Sequence, residues 1–537
     1  MPYSQFVVSG ISGRFPQSNN VAEFWEHLEN NVDMVTPVPL ERWDTAALNV
    51  PVNQAMLKEL NRFDNEAFGI NRKIAREMDT QLKLLLEVVY ETLLDAGLPP
   101  MGLHGRPIAV YCGTCLSEAG QEPAAMSDLN ALNPYGLIGT ETSMFSARIA
   151  HAFGFTGPSI TVNTACSSTL VALNTALEQL DRSLCDAALV CGTQLQLLPY
   201  SAITTSRLNM AAMDGRSRSF DDSAKGYGRS EAISAILIQH ESVAKRQYAR
   251  IVHTRLNQDG YTPQGITFPS GEQQIQLFKA FYEECGEDPT KIAYFEAHGT
   301  GTPIGDPIEA NAITNFFCDG RQSPLLIGSV KSNMGHPEPA AALCQLLKII
   351  LIYERGVIPA TLHYTAPNKH VPSLKDGRLQ VVSENAVLNS DTGELVAINS
   401  FSFGGANAHA LIKPAMSPVN RTESRSEQSK TPRMILYAGR TSEAVEYGLK
   451  FIEAHRNNIH VLQLLAEYTQ SPPDILQYRG CLILDAKSKD QNDSPIKLIE
   501  KCKDSQKIGR PVWFVYSGMG SQWERMGKDL MRLPLFR

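Results

Sequence analysis

The chain has 537 residues, 43% of them hydrophobic and 20% charged, with a formal net charge of −7 at pH 7. Its 38 Gly and 31 Pro are ordinary usage, which excludes collagen-like and globally disordered classes. With 49 basic against 56 acidic residues and no long basic run, a nucleic-acid binder driven by counterion release is disfavoured.

The amino terminus, MPYSQFVVSGISGRF, has no basic flank before an apolar stretch, so it does not read as a secretory signal. Ten irregularly spaced cysteines do not form a disulfide framework, and a reducing cytoplasm is the expected compartment. From Gln5 to about Lys413, short β-branched runs alternate with amphipathic stretches, the rhythm of an α/β domain with buried strands. Met78 to Gly97 places Leu82, Leu85, Leu86, Val89 and Leu93 at helical spacing and stops at a glycine. The run PIAVYCG follows and ends in Cys112-x-x-Cys115, which reads as two packed thiols because no second pair accompanies it.

The segment PSITVNTACSSTLVALNTALEQL then carries the strongest local feature. A β-branched run enters small residues, and a helix begins with Leu170, Leu173, Leu177 and Leu180 on one side. Cys166 therefore falls at a strand-to-helix turn, where the helix dipole and free backbone N–H groups favour a thiolate. A buried structural cysteine is the plainer alternative. Asp221-Asp222 and Glu283-Glu284 read as solvated charge pairs.

Two histidines follow strand-like runs: His298 after IAYFEA and His336 in KSNMGHPEPAAAL, with Lys331 just upstream. Both open into Gly-containing turns, where α/β sheets present functional groups. Neither has a close HxxxH or HExxH partner for a metal, and no metal site is expected. Gly299-x-Gly301-x-x-x-Gly305 is one residue too long for a dinucleotide loop and contains Pro303. The stretch from Ala340 to Tyr353 is apolar but is interrupted by Gln345 and Lys348 and is too short to span a bilayer.

Residues 414–432 are polar and rich in Ser and Pro, a connector. Beyond it, MILYAG precedes a helical pattern with Val445, Leu449 and Ile452 on one face, and this unit runs to about 510. A third unit opens with VWFVYSG and stops at Arg537; the expectation is a truncated domain over 511–537.

Four long motifs occur in order: NTACSST at Asn163–Thr169, EAHGTGTPIGDPIE at Glu296–Glu309, KSNMGHPEPA at Lys331–Ala340 and NSFSFGGANAH at Asn399–His409. Together with GYGRSEA at Gly226–Ala232 and MDTQLKLLLE at Met78–Glu87, they resemble the β-ketoacyl synthase (condensing) domain of type I fatty acid and polyketide synthases. The resemblance extends over residues 1–413. Residues 414–510 resemble the linker domain of the animal type I fatty acid synthases, and 511–537 the start of their malonyl/acetyltransferase domain. The Gly-His-Ser-x-Gly nucleophile motif of that transferase is absent from this sequence.

The resemblance implies a thiolase-like five-layered α-β-α-β-α fold, a small α/β linker domain and a homodimer. It implies a decarboxylative Claisen condensation in fatty acid biosynthesis, with Cys166 holding the acyl chain as a thioester. His298 and His336 would bond the malonyl thioester carbonyl, and Lys331 would hold the histidines electrostatically. The N–H groups of Cys166 and Phe403 would form the oxyanion hole. Thr300 and Thr302 would hold the pantetheine arm, and Phe403 would gate the acyl pocket. No bound cofactor is implied; substrates would arrive on the phosphopantetheine of an acyl carrier protein. Neither nucleic acid nor a membrane span belongs to this expectation. The sequence departs from the family pattern at Asn163 for Asp, Thr169 for Ser, Ser402 for Gly and the pair Ala341-Ala342. Alternatives are a polyketide or branched-chain synthase domain and, of another class, a non-catalytic dimerisation scaffold.

Overall fold

The computed structural model describes residues 3–120, 133–321, 323–388, 395–415, 433–458, 461–462, 465, 476–484 and 496–501, with 524 and 528 besides. The chain divides into two compact units, Met1–Ser429 and Lys430–Arg537. Most of the expected connector at 414–432 and of the expected transferase start at 511–537 lies outside the described residues.

The first unit runs twice through one order of elements. The first pass is β1 (Phe6–Arg14), α1 (Thr80–Asp95), β2 (Ile108–Gly113), α2 (Ser143–Phe153), β3 (Ser159–Val162), α3 (Ser168–Asp181), β4 (Ala187–Gln194) and β5 (Ala232–His240). The second is β6 (Ala249–Gln258), α4 (Gly271–Cys285), β7 (Ile292–Glu296), α5 (Gly305–Phe317), β8 (Leu325–Gly328) and α6 (Ala341–Arg355). An inserted β9 (Leu379–Val381) follows, then β10 (Leu395–Phe401) and β11 (Ala406–Pro414). All eleven strands form one sheet in the order β9-β8-β7-β10-β11-β6-β1-β5-β4-β2-β3. Setting β9 aside, each half has its own strands in the order third, second, fourth, fifth, first. In each half the second strand lies parallel to the third and fourth, and the last two pairings are antiparallel. The halves meet where β1 pairs antiparallel with β6, Val8 opposite Ala249.

Side-chain alternation along the strands builds three cores. Ala109, Tyr111, Ala188 and Val190 face a central layer with Leu170, Leu173 and Leu177 of α3 and Leu346, Leu347 and Ile350 of α6; Val396, Ile398 and Ala410 close it from the second half. Ile108, Val110 and Leu189 face the other way, onto α1 and α2. Phe295, Ile327 and Ala397 face α4 and α5. The layers are therefore α-β-α-β-α, with α3 and α6 buried between the two halves of the sheet.

Helix α1 shows how the sequence sets an element. The Asp79 carboxylate caps it by accepting the Gln81 N–H at 2.7 Å. Gly97 leaves it at φ +72, a left-handed turn that favours glycine. Leu82, Leu85, Leu86, Val89 and Leu93 are all buried. Asp221 departs from its reading as a solvated charge. It is buried, and it accepts the backbone N–H groups of Thr365 and Ala366, which supply the solvation that water would otherwise give.

The second unit is an antiparallel sheet of β12 (Arg433–Gly439), β13 (Tyr478–Leu484) and β14 (Ile496–Lys501) with α7 (Ser442–Ala454). Val445, Leu449 and Ile452 of α7 bury against Ile435 and Leu482.

Candidate active site

The duplicated order puts the sequence-predicted residues at corresponding places. Cys166 lies between β3 and α3, and Lys331 and His336 between β8 and α6, the third strand and helix of each half. His298 follows β7, and Phe403 lies in the turn from β10 to β11.

At the Cys166 turn, Ala165 is held at φ +51, a strained conformation for a residue with a side chain. Ser168 fastens it: its hydroxyl accepts the Thr164 N–H at 2.9 Å and donates to the Ala165 carbonyl at 2.6 Å. The Cys166 carbonyl accepts the Ser400 hydroxyl of β10 at 2.9 Å, a tie between the halves. The residue is partly exposed. Burial of the sulfur pushes its thiol up to about 12, and Glu338 pushes the same way. Lys331 and the backbone N–H groups of Phe403 and Cys166 pull it down. The expected low-pKa thiol is therefore not what the turn builds, because desolvation outweighs the helix terminus. The two N–H groups acting on the sulfur are the pair expected to form the oxyanion hole.

Both histidines are enclosed and neutral at pH 7. Burial, with the Lys331 charge next, holds each well below the ordinary histidine range. Their rings stand perpendicular with centroids 5.3 Å apart. His298 Nδ1 accepts the Phe401 N–H at 3.3 Å, so its proton resides on Nε2. The N–H groups of His298 and Gly299 both donate to the Glu309 carboxylate at 2.8 Å. The His336 N–H donates to the Gly228 carbonyl at 2.7 Å, and the His336 ring meets the Tyr227 ring edge-on at 5.2 Å. Among the described residues, neither ring nitrogen of His336 has a hydrogen-bond partner, and neither has Lys331 Nζ. Buried polar atoms of this kind are costly unless a ligand or water uses them. Burial lowers Lys331 to about 8, while Glu296 and Glu309 favour its charge.

Thr300 and Thr302 face each other with their hydroxyls 3.3 Å apart. Asp306 holds this loop by accepting the Gly301 N–H at 3.0 Å and the Thr302 N–H at 3.3 Å. Gly301 sits at φ +80, and a Cβ there would come 2.5 Å from the Arg218 nitrogen, so the tight turn requires glycine. Phe403 is 52% exposed. The hydroxyl of Ser402, where the family pattern has Gly, accepts the Gly404 N–H at 3.2 Å and fastens the turn.

Sequence reasoning did not assign roles to Asp306, Glu309, Asn399, Glu296 or Lys348. Asn399 donates to Glu309 at 2.9 Å, and Lys348 bonds Glu296 at 2.7 Å with both side chains buried. Lys348 was visible in the sequence as an interruption of an apolar run, a sign of a buried partner.

Comparisons with known proteins agree with this architecture. Residues 4–244 match the Beta-ketoacyl synthase, N-terminal domain, and 248–365 the C-terminal domain, a division between β5 and β6. Residues 367–483 match the Ketoacyl-synthetase C-terminal extension. The chain is 45% identical over 351 residues to a fatty acid synthase of the goose Anser anser anser, covering 65% of this chain and 99% of that protein. It is 32% identical over 570 residues to the highly reducing polyketide synthase Preu1 of Preussia isomera, covering 99% of this chain but 24% of that protein. Similar solved structures include the ketosynthase from module 6 of the bacillaene synthase of Bacillus subtilis 168, at TM-score 0.75 and 29% identity over 89% of this chain and 82% of that one. Another is the oxazolomycin ketosynthase domain OzmH KS7 of Streptomyces albus JA3453, at TM-score 0.78 and 26% identity over 90% and 86%. A doubled five-strand order, two family matches that divide where the order repeats, and 45% identity across a whole relative make one case: the chain belongs to the β-ketoacyl synthases, the condensing domains of fatty acid and polyketide synthases.

Proposed function

We propose that this chain elongates a fatty acyl chain by condensing it with a malonyl unit, and that Cys166, His298, His336 and Lys331 carry the reaction. The observation that carries the reading is the pair of neutral, perpendicular imidazoles beside Lys331, with a proton on His298 Nε2 and free nitrogens on His336. Two neutral N–H donors in a dry site stabilise an enolate oxygen without protonating the carbanion.

In the first half-reaction the Cys166 sulfur attacks an acyl thioester and its proton leaves with the departing thiol. In the second, a malonyl thioester places its carbonyl oxygen on the two imidazoles. The C–C bond to the carboxylate breaks, carbon dioxide leaves, and the electron pair becomes an enolate. Its α-carbon attacks the Cys166 thioester, the tetrahedral oxyanion takes the N–H groups of Cys166 and Phe403, and the sulfur leaves. The high affinity of the Cys166 thiol for its proton means that free thiolate is scarce and is made only as the sulfur attacks.

Thr300 and Thr302 would hold the pantetheine arm, and Phe403 would gate the acyl pocket. Substrates would be carried by an acyl carrier protein, with no bound cofactor. The greater identity to a fatty acid synthase than to the polyketide synthases supports the fatty acid product. The domain reading places the condensing domain at 1–413, a linker domain at 414–510 and the start of an acyltransferase domain at 511–537, in a cytoplasmic homodimer. Edge strand β3, with Ile160 exposed, supports strand-to-strand pairing between two copies. The test is intact-protein mass spectrometry after incubation with a short acyl thioester. A single adduct on the native chain and none on Cys166→Ala is expected; an adduct that persists in the variant overturns the assignment.

A further inference from the structure

Against the turn that bears Lys331 lies a buried ionic group that the condensation steps do not use. Glu296 ends β7, and Lys348 lies mid-way along α6; both side chains are wholly buried. One carboxylate oxygen, Oε2, accepts Lys348 Nζ at 2.7 Å and the Tyr294 hydroxyl at 2.7 Å. Lys348 Nζ also donates to the Tyr294 oxygen at 2.8 Å, closing a triangle. The other oxygen, Oε1, accepts the backbone N–H of Val330 at 2.6 Å. Val330 is the residue before Lys331, at the start of the short helix Lys331–Met334.

We infer that Glu296, held by Lys348 and Tyr294, is a positioning residue that fixes the turn bearing Lys331 and keeps the Lys331 ammonium charged beside the histidines. The geometry gives the carboxylate two jobs on two oxygens. Oε1 sets where the Lys331 backbone starts, and Oε2 is tied to a cation on α6, the helix that His336 precedes. Strand, turn and helix are thereby locked at one point. A buried ion pair is weak evidence for stability alone, since desolvation offsets the attraction, and its better-attested use is to specify an arrangement.

The electrostatics agree. Among the groups facing Lys331, Glu296 is the foremost in favouring its charge, followed by Glu309 of α5, then Cys166 and Cys344. His298 and His336 are kept neutral by burial first and by the Lys331 field next. Removing the Glu296 charge therefore makes Lys331 lose its proton at lower pH. Loss of that cation weakens the enolate site as pH rises, so the alkaline limb of activity reports on Glu296.

The inference rests on the proposed malonyl decarboxylation, and two readouts on the full chain keep the two apart. The first is carbon dioxide release from malonyl-coenzyme A against pH. The second, which needs no acyl or malonyl substrate, is the rate of Cys166 alkylation by iodoacetamide against pH, read by peptide mass spectrometry. Glu296→Gln should lower the maximal rate of decarboxylation about tenfold with little change in KM, as partners behind a reactive centre do. It should move the alkaline inflection of both readouts down by about one pH unit. Glu296→Gln/Lys348→Met removes the pair as a unit: thermal stability should recover toward that of the native chain while the inflection stays low. A double variant with the native inflection overturns the inference, because packing alone then accounts for the pair. If Glu296→Gln does not fold, Tyr294→Phe takes one hydroxyl from the carboxylate and leaves the pair, and the inflection should move up by about half a unit. An unmoved inflection in folded Tyr294→Phe overturns it equally. A native chain that releases no carbon dioxide defeats the proposed reaction, and the alkylation profile then still decides the role of Glu296.

Discussion

The imidazole of His298 takes the backbone N–H of Phe401 on Nδ1 at 3.3 Å, so strand β10 decides which nitrogen of a histidine just past the neighbouring β7 carries the proton. The donor that remains, Nε2–H, is available only while the ring is neutral in this tautomer. Burial and the nearby Lys331 keep it so.

A pH dependence follows. Protonation of His298 or His336 is displaced to well below pH 6.5. Malonyl decarboxylation should therefore show no acid limb near pH 6.5, and rates at pH 6 and pH 7 should agree within about twofold. An inflection at pH 6.5 in the rate profile would sink the neutral-pair reading. The same depressed values couple to folding: an unfolded histidine binds its proton near pH 6.5 while the folded one does not. The contribution of each is thus full above pH 6.5 and lost as pH falls below it.

The two histidines should separate the half-reactions. His336→Ala should slow decarboxylation by about 10²–10³-fold, the cost of losing one oxyanion donor, with acyl loading onto Cys166 much less affected. Equal losses in both steps, measured by carbon dioxide release and by adduct formation, would count against the assigned role.

Lys331 lowers the Cys166 thiol from the value that burial alone would give. Lys331→Met should therefore slow alkylation of Cys166 at pH 8, and by about tenfold if the thiol rises by one unit. An unchanged rate, read on the Cys166 peptide, would show that the ammonium does not reach the sulfur.

Thr169 fills a slot between two glycines. A Cβ on Gly113 would come 2.8 Å from the Thr169 methyl, and one on Gly192 would come 2.7 Å from it. Gly192→Ala should cost about 1–3 kcal/mol by overpacking. Thr169→Ser removes the obstructing methyl and should recover part of that loss in the double variant, as read by denaturant unfolding. Strict additivity of the two changes would contradict the packing account.

The Ser402 hydroxyl bond to the Gly404 N–H should hold the Phe403 turn more tightly than glycine would. Ser402→Gly is expected to widen the range of acyl thioesters that load Cys166, measured as adduct yield against chain length. An identical chain-length profile would mean that the turn does not limit entry.

Much of this arrangement was legible in the sequence, and the exceptions share a cause. The strand runs, the Leu pattern of α1 and α3 and the turn at Cys166 are local, and local periodicity reports them. The four motifs place Cys166, His298, Lys331 and His336 because each turn is built from adjacent residues. Burial depends on what arrives from elsewhere in the chain, so the high proton affinity of Cys166 was misjudged from its helix position. Asp221 was read as solvated because Thr365 and Ala366, which satisfy it, lie far away in sequence. Lys348 was read as an interruption because Glu296 reaches it only after β7 and α6 have packed. The third-second-fourth-fifth-first strand order could not be read from periodicity at all, since pairing partners are set by tertiary layering.

That repeated order divides the labour of the reaction unequally. In the proposed mechanism the first half would contribute the sulfur, and the second the imidazoles, the ammonium, the threonines and the gate. Severing the chain in the connection between β5 and β6, around 241–248, would yield a fragment that owns a nucleophile with no carbanion source and one that owns a carbanion site with no acceptor. Co-expressed, the two fragments should regain turnover only by zipping β1 to β6 and closing the shared helical layer. Complementation between separately tagged halves would make the seam of the fold directly measurable as product.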